Sequence, residues 1–216
     1  MNLIKDLVKR FYFLINFFPF NNSYKMRGAK IFNKGKVLIK CKFVCEGIGN
    51  KIIFKGIGII RKSLFYIKGN NNVIIIDDGG SIVNAQFYIE DNDNKISIGK
   101  STNLCSSIHL ACIEGTSIII GDDCLFSSEI IFRTGDSHSL LDLNGARINP
   151  SSDIIIGSHV WIGQRVTITK GVQIGSNSMI GTGAIVTKSF NEENVVIVGV
   201  PARIIKYNIN WCEKRI

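Results

Sequence analysis

The most regular feature of the chain is an aliphatic side chain that returns at every sixth position: Ile156, Ile162, Ile168, Ile174, Ile180 and Val186. A helix would bring such a residue back after about 3.6 positions and a strand after 2. Six is neither, so no single regular element generates the pattern. Gly follows the aliphatic residue at Gly157, Gly163, Gly175 and Gly181, and a compact residue stands four positions after it at Val160, Val166, Val172, Ser178 and Ala184. Six residues hold a short strand and a tight turn, with Gly admitting backbone angles that other residues resist. Three strands and three turns close a triangular coil of 18 residues, which predicts Ile174 stacked on Ile156 and Ile180 on Ile162. Stacked coils pair their backbones at about 4.8 Å. The expectation is a parallel β-helix with aliphatic ladders inside the prism.

Upstream the repeat widens. Phe54, Ile76, Ile98 and Ile120 lie 22 residues apart, as expected for coils of the same solenoid with extra residues at one corner. Ile120, Phe126 and Phe132 restore the hexad, yet the partner of Ile120 in the next coil is Ile156, an excess of 18 residues. That excess predicts an inserted loop within about 133–153, since a solenoid admits insertions at its corners. A β-sandwich would show alternating polarity with strands every 8–12 residues or so, which six phase-locked hexads exclude. The expected fold is therefore all-β, with the parallel β-helix over 29–200, the loop at about 133–153 and a tail over 201–216 that folds back. Residues 1–28 form a separate apolar segment. Its start, MNLIKDLVKRFYFLINFFPF, has Lys5, Lys9 and Arg10 before an apolar run from Phe11 to Phe18. The run is too short to span a bilayer, Asn16 interrupts it, and no small-residue cleavage site follows. The reading is a helix ended near Pro19, packed on the body or lying on the inner membrane surface through residues 1–20.

Composition narrows the function classes. The 216 residues carry 26 Lys plus Arg against 17 Asp plus Glu, a net charge of +9. Such a balance attracts polyanions, but the Lys are scattered and no nucleic-acid motif appears. The six Cys, at 41, 45, 105, 112, 124 and 212, show neither a CxxC pair nor a zinc spacing. A chain of this size needs no disulfide staples. They read as reduced, cytoplasmic and mostly core, Cys124 occupying a small-residue position of the repeat.

The stretch 133–206 resembles the hexapeptide-repeat acyltransferase superfamily. The matching motifs are HVWIG (159–163), the Ile-Gly hexads, GTGAIVTK (181–188) and GVPARIIK (199–206). The loop TGDSHSLLDLNGARINPSSDIIIG (134–157) is similar to that of acetyltransferases decorating bacterial polysaccharides, the galactoside and sialic-acid O-acetyltransferases among them. The resemblance implies a left-handed coil, which periodicity does not, since parallel crossovers are usually right-handed. It further implies acetyl-coenzyme A as donor, a sugar hydroxyl as acceptor, a homotrimer and no metal. The basic balance suits an acidic glycan.

Transfer from a thioester to a hydroxyl needs a base near neutral pKa, and His138 stands in the loop where the family's catalytic His lies. Asp136, Asp142 or a main-chain carbonyl would hold its other ring nitrogen, Asp136 being the expectation; salt pairing to Arg133 or Arg147 is its competing use. Trp161 is expected to face outward from its hexad, where a large aromatic covers something; in the family this Trp borders the acceptor and thioester. His159 reads as a corner residue and His109 as structural. For coenzyme A, the family positions fall on Gly163, Thr182, Thr187, Lys188 and Arg203, with Lys206 in addition. Thr182 replaces a residue that is often Ala in relatives, and the cations suit phosphates. The rival readings are an amino-sugar N-acetyltransferase of the same fold and a non-catalytic β-helix scaffold. The zinc-dependent carbonic anhydrases of this fold lack support, because His109, His138 and His159 show no metal pattern.

Overall fold

A computed structural model describes residues 22–216. The chain winds as a three-sided prism of parallel strands, each face built by pairing every coil with the next. Among the described residues the regular elements are strands, and no helix is long and apolar enough to cross a membrane.

Each face buries one continuous column. On the first face Phe43, Phe65, Phe87, Leu110, Phe132, Ile168 and Val186 stand in register, and the half-exposed Tyr24 continues the column at its end. On the second the column is Phe54, Ile76, Ile98, Ile120, Ile156, Ile174 and Phe190. On the third it is Leu38, Ile60, Ile82, Leu104, Phe126, Ile162, Ile180 and Ile197. The six-residue period thus corresponds to one face per hexad, as the spacing predicts. Ile174 pairs with Ile156 and Ile180 with Ile162. The compact residues Val160, Val166, Val172, Ser178 and Ala184 are fully buried at the corners. In the wide coils the Phe rings stack coil on coil: Phe43 and Phe65 are 4.7 Å apart and Phe65 and Phe87 4.8 Å, nearly coplanar. Those separations equal the spacing of paired strands.

The extra residues of the wide coils sit at the corner between the first and second faces. There the two faces belong to one bent strand, Lys42–Phe54, which turns through Gly47 and Gly49. A Cβ on Gly47 would lie 2.0 Å from the carbonyl oxygen of Gly69 in the next coil, so only Gly fits. Inside this corner a buried ladder of Asn50, Asn72, Asn94 and Thr116 passes backbone N–H bonds from coil to coil. The arm 133–153 leaves the prism at the same corner, between Phe132 of the first face and Ile154–Ile156 of the second. The pairings of Ile120 with Ile156 and of Phe132 with Ile168 skip it and restore the register.

The expected N-terminal helical segment lies mostly outside the described residues. Its last part does not: Ser23–Asn33 is a strand pairing in parallel with Lys42–Phe54. The reason is local. Tyr24 stacks on Phe43 at 4.9 Å, extending the aromatic column, and the exposed edge of Lys42–Phe54 accepts the partner strand. After Val196–Gly199 the chain reverses into Ala202–Lys206, the antiparallel pair of the fold, and returns over the third face.

Cys41, Cys45, Cys112 and Cys124 are buried and Cys105 and Cys212 exposed, all six free. Burial pushes the Cys45 and Cys124 thiols up to about 11, which leaves them unreactive.

Lys36 is buried at the corner between the second and third faces. Its Nζ donates to the carbonyl oxygens of Ile57, at 2.6 Å, and of Gly79. The ammonium runs over Gly58, where a Cβ would stand 2.7 Å from it. Burial lowers the Lys36 pKa from 10.5 to about 8, against the pull of Asp78 and Asp77. The unfolded chain therefore holds the proton more tightly, and the burial penalty is relieved as pH rises from about 8 to 10.5. The thermal stability of the wild type relative to Lys36→Met should rise across that window, read by melting both proteins on either side of it.

Candidate active site

The arm is a small structured unit. Leu141 and Arg147 form an antiparallel bridge, and Asp142 accepts the N–H groups of Asn144 and Ala146 through its Oδ1. Asp142 thereby closes the arm's turn and is not directed to His138. Gly145, at φ +83°, supplies the left-handed residue of that turn.

Its base is held by Asn149, a buried residue of the Ile148-Asn149-Pro150 stretch. The Asn149 amide donates to the main-chain oxygen of His138 and to Asp136 Oδ2, each at 2.8 Å, and its Oδ1 accepts the N–H of Leu140 at 2.6 Å. Lys170, from the same corner one coil further on, ion-pairs with Asp136 and donates to the Asn149 carbonyl at 3.1 Å. The Lys170 ammonium first, and the Asn149 amide second, hold the Asp136 carboxyl below its usual range. On the other side Glu114 receives both guanidinium nitrogens of Arg147, at 2.9 and 3.0 Å, and the Ser151 hydroxyl at 2.8 Å. Arg133 donates to Ser137. Asp136 therefore pairs with Lys170 rather than with Arg133 or Arg147, and it acts on the His138 backbone through Asn149. Among the described residues the exposed His138 ring has no hydrogen-bond partner.

The remaining site residues fall at two other places. Thr187 and Lys188 lie on the arm's own corner, two coils beyond it, both exposed, with the Lys188 ammonium 5.5 Å from the Phe190 ring centroid. Trp161 faces outward from the third face and is 37% exposed. Gly163 follows it at the corner between the third and first faces, where its N–H donates to Ile180 O at 2.8 Å. A Cβ at Gly163 would lie 2.7 Å from the Thr182 nitrogen. Arg203 is exposed on the returning strand opposite Val198, and Lys206 ends that strand. Within one chain, then, His138, Asp136, Thr187 and Lys188 share one edge of the prism, while Trp161, Gly163, Thr182 and Arg203 occupy the third face and its far edge. The outer first face separates the two groups.

His159 occupies a left-handed corner position, φ +54°, stacked above Asn177 and Asn194 in the same conformation. His109 is half-buried, shares a hydrogen bond with Gln86 at 3.1 Å, and has its pKa lowered by burial first and Arg133 second. Both are built into the wall. Sequence reasoning did not single out Asn149, Lys170, Glu114 or Trp211. The Asn-Pro pair after Arg147 was visible, but its bonding needs the arm folded.

The bacterial transferase hexapeptide (six repeats) family model matches residues 153–188. The polysialic acid O-acetyltransferase of Escherichia coli O1:K1 / APEC is 45% identical over 115 residues, 53% of this chain and 37% of that protein. The chain thus spans well under half the length of that curated relative. The crystal structure of the polySia specific acetyltransferase NeuO superposes with a TM-score of 0.83 at 31% identity, covering 90% of each chain. That of the polysialic acid O-acetyltransferase OatWY gives 0.83 at 32% identity, covering 90% of this chain and 92% of the other. The chain belongs to the hexapeptide-repeat O-acetyltransferases. Its prism is the left-handed parallel β-helix of that family. The match extends over the wide coils and not only over the hexads from which the family was expected.

Asn149→Ala removes the amide that joins Asp136, His138 and Leu140 without touching the core columns. Because a small misplacement of a reacting group can cost on the order of 10²-fold, acetyl transfer should fall by about that factor. The melting temperature should move by less than about 4 °C. Steady-state rates and thermal melts of the same preparation check both.

Proposed function

We propose that the protein transfers acetyl from acetyl-coenzyme A to a sugar hydroxyl of an acidic bacterial surface polysaccharide, a sialic-acid polymer or its precursor, with His138 as general base. The observation that carries this reading is the arm. A His with an open ring sits on a projection whose backbone is fixed by Asn149, Asp136 and Lys170, on a fold whose solved relatives act on polysialic acid by name. A free imidazole on a held backbone suits a base that must meet an incoming hydroxyl.

In the reaction, His138 takes the hydroxyl proton as the sugar oxygen bonds to the thioester carbonyl carbon. The C–S bond then breaks, and the sulfur of coenzyme A leaves with a proton from the imidazolium. Trp161 walls the reacting groups, and a main-chain N–H meets the oxyanion. The donor set fits coenzyme A. Lys188, Arg203 and Lys206 are exposed cations for its phosphates, and the close approach at Gly163 and Thr182 leaves backbone for its thin arm. Lys188 is held in place by Phe190.

His138 stands on one edge of the prism and Trp161 on the third face, away from that edge, which favours a site assembled between copies, with the arm of one chain reaching the third face of its neighbour. A closed homotrimer meets that need. The basic balance of +9 suits an anionic acceptor, and a cytoplasmic enzyme, at the membrane's inner face where such polymers are made, fits the reading.

His138→Ala should reduce acetyl transfer by about 10²–10⁴-fold. The assay is purified protein with labelled acetyl-coenzyme A and a panel of acidic and neutral glycans. Alkali-labile ester lost in the variant is the expected result; alkali-resistant amide would replace the hydroxyl acceptor by an amine, and absence of transfer to any glycan would leave the scaffold reading. Mixing inactive His138→Ala with inactive Trp161→Ala subunits, after dissociation and reassembly, should restore part of the activity. No recovery would place both groups within one chain.

A further inference from the structure

The returning C-terminal segment is not a loose tail. Ile209 exchanges two hydrogen bonds with Asn194, the Asn194 amide donating at 3.0 Å and the Ile209 N–H at 2.9 Å. Two residues on, the Trp211 indole N–H donates to the His159 carbonyl at 2.8 Å, and the ring stacks on the His159 imidazole at 4.3 Å and 9°. Further on, Glu213 lies near enough to Cys105 to act on its thiol, second to burial. Asn194 and His159 lie at the edge between the second and third faces, and Cys105 follows Leu104 of the third-face column in an earlier coil, so residues 207–213 run as a strap from that edge onto the third face.

The strap brings Trp211 to Trp161, with ring centroids 6.1 Å apart and planes inclined at 45°. His159, shared with Asn177 through its Nδ1 at 3.2 Å, backs the Trp211 ring. The third face therefore carries two half-exposed indoles at an angle, one fixed by a strand and one by a hydrogen bond and a stack. Such a pair is costly to leave in water. The strap then continues with the exposed cations Lys214 and Arg215.

We infer that Trp211 and Trp161 form an acceptor platform on which a pyranose ring of the anionic glycan stacks, with Lys214 and Arg215 meeting its carboxylates. The chemistry follows from the groups present. One face of a pyranose presents C–H bonds, which pack on the negative face of an indole, and cations on the strap match acid groups along the chain. The donor positions Gly163 and Thr182 lie at the opposite edge of the same face. Acceptor and donor thus approach Trp161 from its two sides. This inference rests on the glycan acetyltransferase reading above and names the acceptor subsite within it.

The chain contains two Trp, and both are in this platform, so selectively excited tryptophan emission reports on the platform alone. The probe is a sialic acid oligomer of defined length, titrated into the 216-residue protein without donor, with coenzyme A alone as a second arm. The expected result is an emission change with the oligomer whose midpoint rises about tenfold in Trp211→Ala. Trp211→Tyr, which keeps a ring, should recover most of the affinity. In turnover, the Trp211→Ala effect should appear in the acceptor KM and leave the acetyl-coenzyme A KM unmoved. An emission change with coenzyme A but none with the oligomer overturns the inference, and so does an oligomer midpoint indifferent to Trp211. Should Trp211→Ala unfold, the Trp211→Tyr and Trp211→Leu pair makes the same comparison. An oligomer that binds through Trp211 but receives no acetyl group would uphold the platform and refute the transferase reading.

Discussion

Every feature of this molecule is subordinate to the parallel pairing of one coil with the next. Backbone groups on three faces must meet their partners at about 4.8 Å, and each inward side chain must meet its own equivalent one coil away. The columns meet that demand with rings and branched aliphatics that repeat at the coil spacing, as the Phe43–Phe65–Phe87 stack shows at 4.7 and 4.8 Å. Buried polar groups are paired, as in the repeating ladder of Asn50, Asn72 and Asn94 or singly at corners such as Ser63, Thr102 and Ser178, since an unpaired buried amide would cost about 1–3 kcal/mol. Lys36 brings a charge inside the same way: its ammonium lies over a glycine and reaches carbonyl oxygens of the two coils beyond its own.

The same constraint decides where chemistry can stand. A change inside a face would break the pairing above and below it, whereas a corner can lengthen without disturbing either neighbour. The corner between the first and second faces is already the widest, and it bears the arm. Once outside the prism the arm has no ladder to hold it, so it is fixed by side chains instead: Asn149 within it, Glu114 and Lys170 from the coils on either side. These groups leave the His138 ring open while its backbone is held. The strap repeats the principle on another edge, where Asn194 and His159 hold a returning chain with the polar groups of left-handed corner positions.

Much of this was legible before any coordinates. The hexads placed Ile156, Ile162 and Ile168 in three different columns, and the spacing of 36 between Ile120 and Ile156 revealed both the arm and the register that resumes after it. The wide coils were legible through Phe54, Ile76 and Ile98. Ser23–Gly28 were not: they were grouped with the apolar segment before them, yet they pair as a strand. The pattern there has no hexad, and what selects a strand is the edge of Lys42–Phe54 and the ring of Phe43, both distant in sequence. Asp136 was singled out as a partner of the His138 ring; its carboxylate is instead engaged by Lys170 and Asn149.

The sequence by itself determined the winding, because a period is a local property that six residues at a time can express. It also determined the chemical types at hand, a lone His in an insertion, two Trp and scattered cations. Only the tertiary structure decided which of these meet. Lys170 reaches Asp136 across 34 residues and Trp211 reaches His159 across 52, and no periodicity encodes such pairings. They arise where segments that share no repeat, the arm and the strap, fall against the corners of a column already built.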